Sequence, residues 1–88
     1  MKKKQDHIIV AIHVTNRVKQ AGTVQSVLTR YGGNIKTRIG LHEPTPGGVS
    51  PNGVILLELV GSQKVAFALI ATLKKITGVE ANSIVFEH

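Results

Sequence analysis

The 88-residue sequence contains no cysteine and no tryptophan. Because disulfides and thiolate metal sites both require cysteine, neither can stabilise this chain. The length fits a single domain, and a domain this small buries only about 60% of the surface that its unfolded chain exposes. We therefore expect association between copies to supply part of the stability.

Long apolar runs are also missing, since none reaches the roughly 18 residues of a membrane-spanning helix. The charged start and the short apolar segment Ile8–Ile12 resemble a signal peptide at first sight. His13 follows that segment directly, and no convincing small-residue cleavage site comes after it. The sequence thus predicts a cytoplasmic protein with no membrane partner.

Acidic residues are few: there are five, against eleven lysines and arginines, which gives a net charge of +6. Lys2, Lys3 and Lys4 supply half of the excess, and we assign residues 1–6 to a flexible basic tail. The remaining excess is modest for a nucleic-acid-binding protein. Charged tails are more often solubility features than binding arms, so a nucleic-acid partner is not expected.

The first half of the remaining sequence predicts a strand followed by a helix. The segment His7–Val14 is β-branched and apolar at both odd and even positions, as in a central strand with both faces buried. Thr15 and Asn16 are good N-cap residues, and from Arg17 apolar residues recur at spacings of three and four up to Tyr31. The pair of glycines after Tyr31 ends the helix.

The second half repeats this unit. Residues 34–42 alternate in polarity, as in a half-exposed edge strand, and residues 53–61 form a mostly apolar strand. A second helix follows, with Ser62 as its cap and Gly78 as its stop, before a last strand. The order β-α-β-β-α-β and right-handed crossovers predict one ferredoxin-like α+β domain over residues 7–88, with a four-stranded antiparallel sheet and both helices on one face.

The sheet face that the helices leave uncovered is predicted from the parity of each strand. It should hold Ile9, Ala11 and His13 of the first strand, Lys36, Arg38, Gly40 and His42 of the second, and Val54, Leu56, Glu58 and Val60 of the third. An exposed apolar patch of this kind usually marks an interface. We therefore predict self-association into a dimer or higher homo-oligomer through a contact that contains Ile9, Ala11, His13, Arg38, Leu56 and Glu58.

Glu58 is the only charge of the third strand, and we expect it to lie between Arg38 and His13 on the uncovered face. The simplest interpretation is an exposed salt bridge that contributes less than about 1 kcal/mol. The alternative is that a second subunit covers the charges, in which case they help to fix the register of the interface.

Metal and cofactor chemistry finds little support. The four histidines show no paired spacing of the kind that metal ligands use, and His42 with Glu43 is the best remaining pair. The segment Leu41–Val54 holds all three prolines but no lysine or arginine. Its residues are typical of consecutive turns, so we predict a hairpin extension, with residues 43–52 outside regular structure, rather than a phosphate-binding loop.

An enzyme is not expected either. Acylphosphatases, another ferredoxin-like family, grip phosphate at a glycine-rich turn beside an arginine, but Arg30 lies at the far end of the first helix, where the dipole disfavours anions. We also find no serviceable pair of nucleophile and base. RNA-binding sheets need exposed aromatic residues for stacking, whereas Tyr31, Phe67 and Phe86 lie off the two central strands. A ligand-sensing or partner-binding module remains.

From about Ile8 to Val85 the sequence resembles the iron-only hydrogenase system regulators. The marks of the resemblance are "NR" (Asn16, Arg17), "YG" (Tyr31, Gly32), "RIG" (Arg38, Ile39, Gly40) and "GV" (Gly78, Val79). Two features depart from that family: the second helix reads "ATLKKITG" instead of a "GKLG"-like patch, and the connection after "RIGL" is longer. The resemblance implies an ACT-like module, similar also to the C-terminal domain of nickel-responsive repressors, that pairs and binds small effectors.

The turn between the first strand and the first helix is the predicted effector site. Free N–H groups and the positive dipole end of a helix that begins near Asn16 favour an anion such as a carboxylate, and Arg17 adds a planar, always charged donor. The family resemblance implies that this turn faces a neighbouring subunit, with the effector in the gap. The alternative is that Thr15 and Asn16 only cap the helix and that Arg17 points at water.

Three functions therefore stay open at the level of the sequence. The first is a non-enzymatic regulatory module of an iron-only hydrogenase system, which senses a small effector and contacts a protein partner. The second is a structural or protein-interaction module without a small ligand. The third is a weak nucleic-acid binder that acts through the basic tail.

Overall fold

The computed structural model describes residues 6–15, 17–42 and 53–87 and, within them, all side chains except those of residues 17–21 and 42. Asn16 and the predicted hairpin extension at residues 43–52 lie outside the described residues. The division into a tail at residues 1–6 and a domain stays a prediction.

Four strands and two helices form the described part of the chain. In chain order they are β1 (His7–Val14), α1 (Arg17–Arg30), a 3-10 turn (Gly32–Asn34), β2 (Ile35–His42), β3 (Gly53–Leu59), α2 (Gln63–Lys74) and β4 (Val79–Phe86). The sheet order is β2-β3-β1-β4, and every neighbouring pair is antiparallel. This is the ferredoxin-like α+β fold that the sequence predicts, with β1 and β3 in the centre.

β1 separates the two faces of the sheet. Its even-numbered residues, from Ile8 to Val14, are buried, whereas Ile9, Ala11 and His13 are only partly buried. Because side chains alternate along a strand, the buried set lies on one face and the partly buried set on the other. The parity predicted for β1 is confirmed, but only one of its faces is fully covered.

Both helices pack on the buried face. α1 contributes Val24, Val27 and Leu28 to the core, and α2 contributes Ala66, Leu69 and Leu73. Burial of each large side chain in this set stabilises the fold by about 1.5–3 kcal/mol. Val65 and Ile76, on either side of this set, are only partly buried, and Ile76 packs against the core. Neither α1 nor α2 reaches the length and hydropathy that a membrane-crossing helix needs.

The first turn of α2 is weakly capped. Ser62 precedes the helix as predicted, with extended backbone angles of φ −91° and ψ 162°, but its side chain makes no capping hydrogen bond. The carbonyl of Ser62 accepts a hydrogen bond of 3.1 Å from the N–H of Val65. Gln63 Nε2 donates to Oδ2 of Asp6 at 2.7 Å, which joins residue 6 to the start of the helix.

Gly78 allows two backbone segments to approach closely between α2 and β4. It has a φ of +82°, in the left-handed region that favours glycine. The Thr15 N–H donates a hydrogen bond of 2.7 Å to the Gly78 carbonyl. A Cβ on residue 78 would lie 3.1 Å from the carbonyl oxygen of Thr15. The end of β1 and the start of β4 are therefore in direct backbone contact.

Two glycine-to-alanine variants should change stability in opposite directions. Gly78→Ala should lower the free energy of unfolding by about 1–2 kcal/mol, because it places a Cβ at positive φ and against Thr15. Gly22→Ala should raise it by about 0.5–1 kcal/mol, because Gly22 lies within α1 with open space around the added Cβ. Urea denaturation at one fixed protein concentration measures both, and equal stability of the two variants would contradict the account.

Candidate functional site

The uncovered side of the sheet, the open face, is the candidate functional site. Strand register arranges it in rows: Leu41, Val54, His13 and Glu80; then Ile39, Leu56, Ala11 and Asn82; then Thr37, Glu58, Ile9 and Ile84; with His7 and Phe86 at one end of β1 and β4. Residues at opposed positions of antiparallel strands share a face and touch side by side. The open face therefore crosses all four strands.

Both edges of the open face carry large apolar side chains that are half exposed. Ile39 and Leu41 on β2 are 49% and 47% exposed, and Ile84 and Phe86 on β4 are 57% and 56% exposed. Leu56, between the two edges, is partly buried. Scattered apolar residues are normal on a protein surface, whereas a contiguous patch across a sheet marks an interaction site.

β2 departs from the predicted parity. Ile35 pairs with Leu59, but Thr37 pairs with Glu58, so Lys36 is an extra residue on β2 at this point. A bulge of this kind shifts the alternation of a strand by one residue. Thr37, Ile39 and Leu41 therefore lie on the open face, and the assignment of Arg38 and Gly40 to it is wrong, because they pair with Leu57 and Ile55.

Glu58 contacts different residues from those predicted. Thr37 Oγ1 donates a hydrogen bond of 3.0 Å to Oε1, and Lys36 Nζ lies 3.9 Å from Oε2. Arg38 is paired with Leu57 instead, and the predicted contact between Arg38 and Glu58 is therefore corrected. The Lys36–Glu58 pair is partly exposed and contributes little by itself.

His13 is not beside Glu58 either. It is paired with Val54 on β3 and Glu80 on β4, whereas Glu58 is paired with Ile9, two rows away. His13 Nδ1 is buried and has no hydrogen-bond partner among the described residues. A buried polar atom without a partner costs about 1–3 kcal/mol. The open face thus contains a polar atom that the described part of the chain leaves unsatisfied.

The predicted effector site lies at one end of the sheet. Thr15 is exposed, its N–H is bound to the Gly78 carbonyl, and α1 begins at Arg17. Asn16 and the side chain of Arg17 lie outside the described part, so the joint placement of the three predicted residues stays a prediction. The backbone contact at Gly78 fixes the position from which this turn leaves β1.

The metal candidates fall outside the described side chains. His42 ends β2 with a described backbone only, and Glu43 is not described. Among the side chains that are described, no group of three or more histidine, aspartate or glutamate residues could hold a metal ion. The pair of His42 and Glu43 therefore stays an untested hypothesis.

Some residues of the open face were absent from the prediction. Ile84 and Phe86 have the same parity on β4, so the alternation was visible, but a face could be assigned only after the pairing of β4 with β1 was known. Sequence parity places Ile39 and Leu41 on the opposite face, because it takes no account of the bulge at Lys36. No glycine or proline marks the bulge in the sequence.

No protein-family model matches the chain, and no curated protein matches it. Among solved structures, an uncharacterized protein from Thermotoga maritima superposes with a TM-score of 0.76 at 25% sequence identity, over 94% of this chain and 98% of that chain. A protein from Thermus thermophilus described as a PII-like signalling protein gives a TM-score of 0.61 at 15% identity, over 99% of this chain and 93% of that chain.

A nitrogen regulatory PII-like protein from Thiomonas intermedia, solved with ADP, AMP and bicarbonate, gives a TM-score of 0.54. Its identity is 11%, over 98% of this chain and 93% of that chain. At this identity and at that of the Thermus protein, the similarity establishes the fold alone. The fold is thus shared with small proteins of the PII-like type along nearly their whole length.

A double-mutant cycle distinguishes the observed partner of Glu58 from the predicted one. Thr37→Ala and Glu58→Ala should show a coupling energy of about 0.5–1 kcal/mol, because their side chains share a hydrogen bond. Arg38→Ala and Glu58→Ala should show coupling near zero. Urea denaturation of the five variants and the parent provides both values. Stronger coupling for Arg38 than for Thr37 would show that β2 lacks the bulge.

Proposed function

We propose that this protein is a small non-enzymatic regulatory module that self-associates through the open face and binds a small anionic effector at the turn between β1 and α1. The observation that carries the proposal is the open face itself. It presents apolar residues on all four strands of a sheet whose other side is already covered. The module would act in the cytoplasm by changing its assembly or by docking on a protein partner.

Self-association is supported by the exposed apolar side chains and the unsatisfied polar atom of the open face. Ile39, Leu41, Ile84 and Phe86 keep large exposed fractions that a second copy would remove from water. A second copy would also bring polar groups that can form a hydrogen bond with Nδ1 of His13. The small core and the absence of disulfides limit the stability of this domain, and association into a dimer or higher homo-oligomer would add to it.

The bulge at Lys36 supports a specific register for this contact. It brings Lys36, Thr37 and Glu58 together on the open face. A second copy that covers these groups would remove them from water. Buried polar groups whose hydrogen bonds are all made in only one register of the two copies favour that register. Glu58, Ile9, Ala11, His13 and Leu56 remain interface residues in this proposal, whereas Arg38 does not.

The effector site is supported by the backbone around Thr15. Its link to Gly78 holds the end of β1 in place, and α1 begins two residues later, so helix N–H groups would point at a bound anion. Arg17 would supply the charged donor and Asn16 a capping or ligand-binding amide. The PII-like structure from Thiomonas intermedia holds ADP, AMP and bicarbonate, which makes nucleotides and small anions the first effectors to test.

The regulated system is proposed from the resemblance to iron-only hydrogenase system regulators. Two marks of that resemblance, "NR" at Asn16–Arg17 and "GV" at Gly78–Val79, flank the backbone contact between Thr15 and Gly78. Thr15, directly before the first mark, is hydrogen-bonded to Gly78, the first residue of the second, which supports a shared site rather than two separate turns. In a structural module without a ligand, packing alone would explain why these two segments are adjacent.

Ligand-induced thermal shifts test the effector proposal. ADP, AMP, ATP, bicarbonate, amino acids and divalent metals are each added to the parent protein, to Arg17→Ala and to Arg30→Ala. A ligand at one hundred times its dissociation constant stabilises the native state by about 2.7 kcal/mol, which raises the melting temperature measurably. We expect at least one anion to shift the parent and Arg30→Ala, but not Arg17→Ala.

Arg30 is the matched control because it is an exposed arginine at the opposite end of the same helix. Equal shifts in all three proteins would place the ligand away from the turn. No shift with any compound would favour the alternative, a structural or protein-interaction module without a small ligand. Tight, salt-sensitive binding to DNA would favour the nucleic-acid alternative instead.

A further inference from the structure

The helix layer, on the side of the molecule opposite the open face, carries charge of one sign. α1 and α2, with Lys75 directly after α2, contain no acidic residue and six basic ones: Arg17, Lys19, Arg30, Lys64, Lys74 and Lys75. The rest of the chain holds five basic and all five acidic residues. The charges of the rest of the chain, the basic tail included, therefore cancel, and the net charge of +6 equals the six basic residues of these elements.

The outward side of α2 forms an ordered stripe within this layer. Its members are Lys64, Phe67, Ala68, Ala71, Lys74 and Lys75, and all six are exposed. Spacings of three, four and seven residues place them along one side of the helix, opposite the buried Ala66, Leu69 and Leu73. An apolar centre is thus bracketed by lysines at both ends.

Phe67 is the most exposed large apolar side chain of the described part, at 63%. Ala68 and Ala71, which share its side of the helix, are exposed and small. Aromatic residues that protrude in this way are the typical anchors of protein interfaces.

The placement of Lys64 is not explained by the stability of α2. It lies in the first turn, which contains no acidic residue, and Ser62 gives that turn no side-chain cap. The positive end of the helix dipole disfavours a cation there. No ion pair among the described residues involves Lys64, Lys74 or Lys75. A residue that breaks a local stability rule without a compensating contact indicates a use elsewhere.

We propose that this stripe binds an acidic, amphipathic segment of another protein, with Phe67 inserted into the apolar part of the partner. Lys64 and Lys75 are eleven positions apart, which corresponds to about 16 Å along a helix. The partner should therefore present carboxylates about 16 Å apart on either side of an apolar centre. A helical segment with acidic residues about eleven positions apart has this spacing.

A protein partner fits the stripe better than other polyanions. Nucleic-acid backbones offer evenly spaced phosphates and no apolar centre, so Phe67, Ala68 and Ala71 would gain nothing along a duplex. A membrane surface would accept the lysines, but one phenylalanine and two alanines are too little apolar area for insertion, and the large apolar side of α2 is already buried.

Fluorescence anisotropy with defined probes tests this proposal on the full chain. The main probe is a labelled helical peptide with a leucine centre and glutamates about eleven positions apart. A second peptide has the same composition, but with the glutamates in the middle and the leucines at the ends. A 20-base-pair DNA duplex and phosphatidylserine vesicles are the remaining probes. We expect the first peptide to bind most tightly, with an affinity that falls as salt is added.

Phe67→Ala should weaken binding of the first peptide about tenfold or more, because it removes the anchor. Lys64→Gln and the pair Lys74→Gln with Lys75→Gln should each weaken it severalfold. Arg38→Gln, which removes an exposed cation outside both the stripe and the open face, is the matched control and should leave binding unchanged. Circular dichroism checks that each variant is folded, as expected for exposed positions.

Lys64→Glu provides an independent readout. It should raise the melting temperature of the free protein by a few degrees while it weakens peptide binding, because it replaces an unfavourable charge at the dipole with a favourable one. Tighter binding of DNA or vesicles than of the first peptide would overturn the proposal. Equal binding of the two peptides, or unchanged binding by Phe67→Ala, would overturn it as well.

Discussion

The side chains of β1 and β3 alternate between the two faces of the sheet, and helices cover only one face. The rest of the molecule depends on this constraint. Both central strands carry apolar residues at odd and even positions, and α1 and α2 cover only one of the two faces. Ile8, Val10, Leu57 and Leu59 are buried by the helices. The partly buried residues on the other side remain available for a second copy of the chain.

The two sides of the molecule consequently differ in chemistry. The open face combines apolar side chains with a few acidic and basic groups, whereas the helices contain basic but no acidic residues and have one exposed phenylalanine. The turn around Thr15 lies where β1 passes from the sheet to the helix layer. An effector bound there would touch the junction between the two layers, which gives a physical route from ligand binding to assembly or partner docking.

The fold and the buried faces of β1 and α1 follow from the spacing of apolar residues and from composition, and the bounds that the sequence predicts for β1 are those observed.

β2 shows where this reasoning stops. The bulge at Lys36 depends on how β2 pairs with β3, and nothing in the residues around it, not even a glycine, marks the irregularity. Parity counted from the sequence therefore put Arg38 beside Glu58, while pairing put Thr37 there.

The molecular mass in solution tests the use of the open face most directly. Light scattering at tens of micromolar should give a multiple of the single-chain mass for the parent protein. Leu56→Lys should give the single-chain mass or insoluble protein, because it places a charge in the centre of the open face. Phe67→Lys, a matched change on the helix side, should keep the parent mass. A parent protein that is monomeric at this concentration, or a Leu56→Lys variant that keeps the parent mass, would contradict the account.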